Sequence, residues 1–475
     1  MYPQQQDFDG DEINIHVPQT IEAYAEAEQL MSVFRNLINA QKNIPMMGIV
    51  YDTLTGATEM TRPQYELEQL HEKLMGFNRQ LASLPVESDE YRQLQASVAQ
   101  AIERRGVVEQ RVRIDPIVYN QAIITVADTP QMETLYQRLN KYGIDPATGR
   151  GLISASFPSD FDYNASFKDP ANDKLMNVVV IKEGVLIKGL LTKDVIGNKD
   201  GSIIAEMFKQ LGGLDTVDFM SDIQFIVREF LHQHGFTVTP SDCIPSDANF
   251  RQKIDEILST ATMKVIATTG KTANRIKAEE QERKINIMLE GAKTQTQTIV
   301  QQTFKPDNNI LIMANSGAKG TSLNAAMMSA ALGQVNVSGR RIQPVLPGNR
   351  SLPIFEPNDP NPRARGFCIN SYSSGLDPAE FWWQAMAGRE GVTDTAVNTA
   401  TTGFLQHQLI KSAEDIHISP DGSVRTADNG IVMPVYEDGN SADELSTVRI
   451  WGESIPFYRN LVQVANKINR RYGAQ

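Results

Sequence analysis

The chain has 475 residues, 41% of them apolar, which is enough to fold into several linked modules. The composition excludes fibrous, collagen-like and disordered classes, and no apolar run approaches the length that crosses a bilayer, so the sequence predicts a soluble, intracellular protein without membrane contact. A formal net charge of −12 argues against free-standing, non-specific binding to nucleic acid, because such binding needs a basic surface. Cys243 and Cys368 have neither CxxC spacing nor nearby histidines, which favours two reduced thiols over a zinc site or a disulfide.

The first motif is a run in which carboxylates recur at every second position, Asp7-Phe8-Asp9-Gly10-Asp11-Glu12. Gly10 permits a backbone turn that bulkier residues cannot adopt, so three aspartates can converge on one point. Such close like charges raise one another's pKa unless a cation compensates, and the first Lys or Arg of the chain is Arg35. Oxygen-only ligands select a hard ion such as Mg²⁺, and an open Mg²⁺ site suits phosphoryl transfer. The spacing alone leaves a solvated acidic turn as the alternative.

Alternation of apolar and polar residues then predicts a strand over residues 13–17, followed by a helix over about 20–39. The apolar stripe of that helix consists of Leu30, Met31, Phe34, Leu37 and Ile38. A mixed region follows, in which residues 177–181 and 185–187 are predicted to form a hairpin around Glu183-Gly184.

The next part of the sequence is helical and charged. Residues 247–304 are interrupted once, at Thr268-Thr269-Gly270, and this predicts a long antiparallel helical hairpin. Residues 315–362 are rich in glycine and proline with little periodicity, which predicts loops packed on neighbouring elements. The final fifty residues have the pattern of mixed strand and helix.

The clearest helix is predicted from Asp377 to about residue 415. Asp377 caps it, Pro378 takes the first helical position and Glu380 can return a hydrogen bond to the cap. Roughly 38 residues correspond to about 57 Å. Its centre has low helix propensity because glycines flank β-branched residues, leaving one bent helix or a broken pair of helices as alternatives. These residues are Gly388, Gly391, Val392, Thr393, Thr395, Val397, Thr399, Thr401, Thr402 and Gly403.

Together with the sequence that follows it, the carboxylate run resembles the DFDGD active-site loop of cellular and viral RNA polymerases, with a eukaryotic character. Further elements are similar to the largest subunit of multisubunit RNA polymerases, in the expected order. They are residues 45–56, 149–154, Ser316-Gly317-Ala318-Lys319-Gly320 with Asn324, Gly333-Gln334, 351–353, Gly366-Phe367, 370–372 and Gly375-Leu376. The long helix, with Ala387-Gly388-Arg389-Glu390-Gly391, Asp394-Thr395-Ala396-Val397 and Thr399-Ala400, looks like the bridge helix of that family.

The resemblance implies a role for each matched residue. Asp7, Asp9 and Asp11 would hold a catalytic Mg²⁺ that activates the RNA 3′ hydroxyl, and a second Mg²⁺ would arrive with the nucleoside triphosphate. Lys319 would contact the phosphates of the nucleotide as a point charge. Thr399 and Ala400 would pack near the template base, with Arg389 in the same bridge-helix set.

Two positions depart from the family pattern. Gln5 stands where the family has an Asn that contacts the ribose of the nucleotide, and it is the candidate for that contact here. Asn398 stands where the family often has a Lys before the threonine-alanine pair, which removes one template phosphate contact.

The implied fold class is α+β: a multi-module, helix-rich segment of the polymerase largest subunit with the tail of a double-psi β-barrel, a funnel helical hairpin and a long bridge helix. The predicted modules are the metal loop and end of the barrel (1–50), a pore region (51–240), the funnel hairpin (241–305), a loop-rich nucleotide-channel segment (306–374), the bridge helix (375–416) and the start of a cleft or jaw region (417–475).

The resemblance also implies partners. The chain would be active only with the second-largest polymerase subunit, smaller subunits and the remaining pieces of the largest subunit, which carry the clamp and the trigger loop. It would act on a DNA template and an RNA transcript, and a transcript-cleavage factor would dock on the 247–304 hairpin. The chain boundaries suggest a divided gene, as in a large DNA virus, or a fragment of a longer protein. The expected location is the nucleus, or the cytoplasm or virion for a viral protein.

Two competing functions remain. One is an RNA-templated polymerase or another Mg²⁺-dependent phosphotransferase that uses the same acidic loop, which the bridge-like helix and the 316–320 element disfavour. The other is a non-catalytic assembly subunit with a vestigial metal loop, which the presence of all three aspartates disfavours.

Overall fold

A computed structural model describes residues 10, 12–39, 42–81, 89–127, 129–169, 172–245, 247, 249–270, 275–433, 446–450 and 453–457. The chain divides into two compact units, Met1–Gln384 and Ala385–Gln475. Long helices dominate the described residues, and the sheets are small and antiparallel. This confirms the α+β class. None of the helices in the described ranges is long and apolar enough to cross a membrane.

Thirteen α-helices lie within the first unit's described residues, and a fourteenth begins there. They are α1 (Ile21–Glu26), α2 (Tyr51–Leu81), α3 (Asp89–Glu109), α4 (Pro116–Val126), α5 (Thr129–Tyr142), α6 (Gly149–Ile153), α7 (Lys193–Ile196), α8 (Ile203–Gln210), α9 (Gly213–His234), α10 (Phe250–Thr268), α11 (Arg275–Thr303), α12 (Asn309–Ser316), α13 (Ser322–Ser329) and α14 (Pro378–Ala413). The strands are β1 (Tyr163–Asp169), β2 (Asn172–Lys182), β3 (Val185–Lys188), β4 (Gly333–Gln334), β5 (Asn336–Val337), β6 (Arg340–Arg341) and β7 (Phe367–Cys368).

The prediction for the first forty residues is wrong in part. Residues 13–17 form no strand, and Ile15 is 87% exposed, because no described segment pairs with their backbone. Thr20 caps α1 by accepting a hydrogen bond from the Ala23 amide at 3.1 Å, as a helix start near this position requires. The helix then passes into a π-helical turn, Ala27–Met31, and a 3₁₀ turn. Of the predicted apolar stripe, only Leu37 is fully buried.

A close approach of α2 and α9 lies at the centre of the first hydrophobic core. A Cβ at Gly56 would lie 2.3 Å from Cγ1 of Val227, so only glycine allows the two helices this separation. Thr58 donates a hydrogen bond to the Leu191 carbonyl at 2.6 Å, which ties α2 to the segment after β3. Helices α4 to α8 and the β1–β2–β3 sheet complete this core.

The strand hairpin predicted around Glu183-Gly184 is confirmed. β2 pairs antiparallel with β3 in the register Ile181↔Leu186. Glu183 and Gly184 have φ of 48° and 69°, the left-handed pair that matches the twist of the flanking strands.

The helical hairpin predicted over 247–304 is also confirmed, as α10 and α11. Its two helices bury Ile254, Leu258 and Val265 of α10 against Ile285 and Leu289 of α11 in the second hydrophobic core. The following segment is not entirely loop, contrary to the prediction for 315–362, because it contains α13. A capping box between Thr321 and Asn324 starts that helix, and its apolar face is buried.

The long helix α14 is continuous from Pro378 to Ala413, so the alternative of two broken helices is wrong. The predicted capping box is present: the Glu380 amide donates to Asp377 Oδ1 at 2.8 Å, and the Asp377 amide donates to Glu380 Oε2 at 3.1 Å. The second unit continues with a three-stranded sheet and a two-stranded hairpin. Their strands are β8 (His417–Ile418), β9 (Val424–Arg425), β10 (Ile431–Met433), β11 (Ser446–Ile450) and β12 (Glu453–Phe457).

Candidate active site

The three aspartates of the carboxylate run, Asp7, Asp9 and Asp11, lie outside the described residues, as does Gln5. Gly10 is described, and its φ of +117° lies in the region that only glycine adopts readily. Gly10 thus has a conformation that favours glycine, as the sequence predicts for this position. In the remainder of the chain that the structure describes, no group of three or more His, Cys, Asp or Glu side chains could hold a metal ion.

Lys319 lies in a short loop between α12 and α13 whose path is fixed by two glycines. Gly317 and Gly320 have φ of 81° and 72°. A Cβ at Gly317 would lie 2.6 Å from Cβ of Lys193, so a side chain there would push the loop away from the first core. Ser316 is fully buried and accepts a hydrogen bond from the Ala318 amide at 3.3 Å. The loop is therefore held in place while Lys319 itself is exposed.

The exposed ammonium of Lys319 lies over an aromatic ring. Its Nζ is 5.2 Å from the ring centroid of Tyr51, within the range of a cation–π contact. Tyr51 is the first residue of α2 and has a φ of 51°, a conformation unusual for a bulky residue. Sequence reasoning missed this tyrosine, because nothing in the local pattern indicates that residues 51 and 319 meet.

The 149–154 motif that supports the family resemblance has a structural role. A Cβ at Gly149 would lie 1.9 Å from the Met60 carbonyl oxygen, so α6 could not pack against α2 with any other residue there. The Arg150 side chain is 3% exposed and pairs with Glu68. Arg150 also donates to the carbonyls of Ile187 and Gly189 at 3.1 and 3.3 Å, which joins α6 to β3 and the residue after it.

Two other elements of the family resemblance, Gly333-Gln334 and Gly366-Phe367, lie next to each other in the structure. Gln334 donates to the carbonyls of Val335 and Arg365 at 2.7 and 2.9 Å. β4 pairs with β7 in the register Gln334↔Phe367, and Gly366 has a φ of 97° with no room for a Cβ. The Gly333-Gln334 and Gly366-Phe367 elements thus form one sheet. Burial raises the pKa of the neighbouring Cys368 thiol to about 12.

Arg389, Thr399 and Ala400 all lie on α14, and all three are exposed. Residues eleven apart are close to three helical turns apart, so Arg389 and Ala400 share nearly one face about 16 Å apart. The Thr399 hydroxyl donates to the Thr395 carbonyl at 2.6 Å. Thr393, Thr395 and Thr401 make the same bond to the residue four positions earlier, and such bonds favour helix bending.

A cluster of arginines around Asp307 has no counterpart in the sequence predictions. Arg104 binds both carboxylate oxygens of Asp307, at 2.6 and 2.7 Å, and Arg62 and Arg111 lie 3.2 and 3.3 Å away. The Arg104 guanidinium holds the pKa of Asp307 at about 2, against the opposing effect of burial. Because the partners are some 200 residues apart in sequence, only the folded structure reveals them.

Comparison with known proteins places these elements in one family. Successive parts of the chain match four family models of a single subunit: RNA polymerase Rpb1 domain 2 (residues 2–33), domain 3 (36–243), domain 4 (249–368) and domain 5 (375–465). The chain is 30% identical over 449 residues to the DNA-directed RNA polymerase II subunits RPB1-B and RPB1-A of Trypanosoma brucei brucei. The alignment covers 92% of this chain and 22% of each relative, so the chain spans about a fifth of their length.

Four domains of one subunit, matched in their order, define a segment of a transcription enzyme's large chain. The protein belongs to the family of largest subunits of multisubunit DNA-directed RNA polymerases, and it corresponds to a segment of such a subunit.

Proposed function

We propose that this chain carries the catalytic metal loop of a DNA-dependent RNA polymerase and takes part in template-directed nucleotide addition to the RNA 3′ end. The observation that carries the proposal is the alternation of Asp7, Asp9 and Asp11 in a chain that matches four Rpb1 domains. The double-psi barrel, funnel and bridge-helix assignments of the surrounding segments belong to the same proposal.

The donor chemistry fits Mg²⁺. Three carboxylates provide hard oxygen ligands, and the positive φ of Gly10 supports a turn between them. When bound, Mg²⁺ supplies a Lewis acid that favours in-line phosphoryl transfer. Asp7, Asp9 and Asp11 would hold that ion, whose charge would offset the repulsion among the three carboxylates.

Other residues orient the reactants in this proposal. Lys319, exposed on a loop fixed by two glycines, attracts the nucleotide phosphates, and its ammonium lies over the Tyr51 ring. Thr399 and Ala400 pack near the template base, and Arg389 lies on the face of α14 that carries Ala400. Gln5 is the candidate for contact with the ribose.

The chain acts within a complex. In this proposal its partners are the second-largest polymerase subunit, smaller subunits, and the clamp and trigger-loop parts of the largest subunit. Its ligands are the DNA template and the RNA transcript. Partner subunits supply the basic surface that a chain of net charge −12 needs for nucleic-acid binding. The complex is located where its template lies, in the nucleus, or in the cytoplasm or virion of a large DNA virus.

The test is RNA extension by the assembled complex on a defined DNA template, with Asp9→Ala and a matched control, Glu12→Gln. Asp9→Ala opens the metal shell and is expected to abolish nucleotide addition, while assembly stays intact because local charge repulsion falls. Glu12 is an exposed carboxylate that follows the three aspartates, and its substitution is expected to leave extension unchanged.

The outcomes separate the competing functions. Wild-type extension by the Asp9→Ala complex refutes the metal assignment. An assembled wild-type complex that extends RNA only on an RNA template supports the RNA-templated alternative. A complex that contains this chain, extends RNA normally and is insensitive to all three aspartates identifies a non-catalytic assembly subunit.

A further inference from the structure

A cavity of about 390 Å³ lies between the start of α11 and the segment 341–365. Its lining includes the side chains of Glu282 on α11, Arg341 on β6, and Arg350 and Arg365 from the segment that follows. This volume lies within the range typical of small-molecule sites. All of these residues belong to the first unit, and none is among the residues to which the family resemblance assigns a role.

Two arginines in this cavity share a single carboxylate. Arg365 Nη1 lies 2.5 Å from Glu282 Oε1, and Arg341 Nη1 lies 3.4 Å from Glu282 Oε2. The Arg341 side chain is 3% exposed and that of Arg365 is 21% exposed, so water screens the two like charges poorly. The three side chains together carry one positive charge that no carboxylate among them compensates.

One N–H group of Arg341 lacks an acceptor among the described residues. This group is the Nε–H, and it is buried. Burial, reinforced by the neighbouring Arg365, lowers the pKa of Arg341 to about 10, so the side chain still carries its charge at neutral pH. A buried N–H donor without an acceptor is costly, and it calls for a partner such as a bound water, an ion or a ligand.

The rest of the lining contains a third arginine, Arg350, and two carboxylates, Glu356 and Asp359. Arg350 donates to the carbonyls of Pro347 and Pro353 at 3.0 and 3.4 Å, which leaves its positive charge unbalanced by these two contacts. Glu356 and Asp359 also line the cavity; Glu356 is exposed and Asp359 accepts a hydrogen bond from the Asn361 amide. Three arginines and three carboxylates therefore line the cavity, and the two guanidinium groups that share Glu282 are the ones that an anion would contact.

We propose that this cavity is a binding site for a phosphate-class oxyanion, received by the guanidinium groups of Arg341 and Arg365. The planar fork of an arginine matches phosphate oxygens in pairs, and two such forks around one anion give selectivity over a monatomic ion. Glu282 competes with the ligand for the same donors, so it limits affinity. The shared chemistry fits inorganic phosphate, pyrophosphate and the terminal phosphates of a nucleotide.

The test uses the full 475-residue chain with EDTA present, so that no ion at the carboxylate run can carry phosphate into the assay. Inorganic phosphate, pyrophosphate and ATP are each titrated by calorimetry, and thermal shift provides a second readout because a ligand bound to the folded state raises the melting temperature. Saturable binding of pyrophosphate is expected. ATP binding as tightly as pyrophosphate identifies a nucleotide as the source of the phosphates, and weaker ATP binding identifies the free anion.

Three variants decide whether Arg341 receives the anion. Arg341→Lys keeps the charge but loses the fork, and a loss of affinity of tenfold or more is expected. Glu282→Gln removes the competing carboxylate and should strengthen binding several-fold, a gain that unfolding could not produce. Arg340→Gln, its exposed neighbour on β6, is the matched control for net charge and should bind as the wild type does.

The proposal is overturned by any of three results: no saturable binding of any probe, an equal loss of affinity in Arg340→Gln and Arg341→Lys, or unchanged or weaker binding in Glu282→Gln. The assay does not depend on nucleotide addition. A failure here leaves the proposed polymerase function standing, and a failure of the Asp9→Ala test leaves this site standing.

Discussion

At the scale of single residues, Asp307 joins parts of the chain that lie far apart in sequence. Arg62 is on α2 and Arg104 is on α3, while Asp307 lies between α11 and α12. A bidentate arginine pair is among the strong charge-assisted contacts, and the Asp307 side chain is 27% exposed, so the pair is partly shielded from water. The cluster therefore links the helical hairpin's end to the first core.

Asp307→Asn is expected to lower the free energy of unfolding by about 1–3 kcal/mol, because three guanidinium groups lose their shared partner. Chemical denaturation of the full chain measures this. Asp255→Asn is the matched control, since Asp255 pairs with Arg251 at 3.1 Å but its side chain is 56% exposed. Exposed pairs contribute about 0–1 kcal/mol, so an equal effect of the two substitutions would contradict a special role for Asp307.

The difference in stability between wild type and Asp307→Asn should decrease at low pH. The pKa of Asp307 is about 2 in the folded protein and about 4 when unfolded. A carboxyl group with a depressed folded pKa stabilises the protein fully above its unfolded value and loses that effect as the pH falls through the folded value. The stability gap between wild type and Asp307→Asn should be constant from pH 5 to 8 and shrink below about pH 4. A gap that grows on acidification would contradict the assignment.

At the scale of elements, the helical hairpin α10–α11 exposes apolar side chains near its turn. Met263 is 69% exposed, Ile266 is 41% exposed and Ile276 is 74% exposed. They lie within about two turns of the Thr268-Thr269-Gly270 break, beyond the part of the hairpin that buries Ile254, Leu258 and Leu289 in its core. This end of the hairpin is where we expect a transcript-cleavage factor to dock.

Replacing Met263 and Ile276 together by serine should weaken factor-stimulated transcript cleavage about tenfold or more, while simple elongation is unaffected, because the apolar contact area is lost and the hairpin core is untouched. Cleavage of a stalled transcript at increasing factor concentration measures the effect. Ile287→Ser, 65% exposed further along α11, is the control. Cleavage that stays at the wild-type rate in the double variant would rule out docking at this end.

The long helix α14 is continuous although its central residues have low helix propensity. Its centre is rich in threonine and valine, yet the threonine hydroxyls bond to carbonyls of the preceding turn and the helix remains unbroken. These bonds fit a helix that bends without breaking, which the sequence left as one of two alternatives. We propose that bending of α14 at this position helps to move the template after each nucleotide addition.

Thr399→Ala removes the bond to the Thr395 carbonyl and raises helix propensity by a few tenths of a kcal/mol, so α14 should stiffen locally. Altered pause durations and translocation are expected with Mg²⁺ dependence unchanged. Single-round elongation on a defined template across nucleotide concentrations gives both quantities. Ser412→Ala, which removes a similar backbone bond near the far end of the helix, is the control. Identical pausing and apparent nucleotide affinity in the Thr399→Ala enzyme would mean that flexibility of α14 at this position is not part of the mechanism.

The elements that the sequence predicted correctly are those specified locally. The Asp377–Glu380 capping box and the Glu183-Gly184 turn each depend on residues within four positions of one another. Residues 13–17 failed as a strand because alternation indicates a strand only when a partner strand is present. The cavity around Arg341 and the cation–π contact of Lys319 join residues 59 and 268 positions apart, beyond the reach of local patterns.

At the scale of the whole molecule, each unit leaves a group of large apolar side chains exposed. In the first unit, Ile15, Val17 and Ile21 are 87%, 72% and 83% exposed. In the second unit, Phe404, Leu405, Leu409 and Ile410 of α14 are 54–63% exposed. Contiguous exposed apolar surface indicates a partner interface. The proposed second-largest polymerase subunit is the partner that we expect to cover part of it.

Assembly with that subunit should protect these side chains from hydroxyl-radical oxidation. Phe404 and Leu409 are expected to lose most of their reactivity in the complex, because close packing excludes water from a buried interface. Phe219, which is 1% exposed in the first core, should be unreactive in both states and controls for unfolding.

Leu409→Asp places a charge in the interface, and since Leu409 is 61% exposed in the chain, the variant should fold normally. It should weaken assembly at least tenfold in a pull-down titration. Full reactivity of Phe404 and Leu409 in an active complex, together with normal assembly of Leu409→Asp, would show that these side chains of α14 face solvent or nucleic acid and that the subunit contact lies elsewhere.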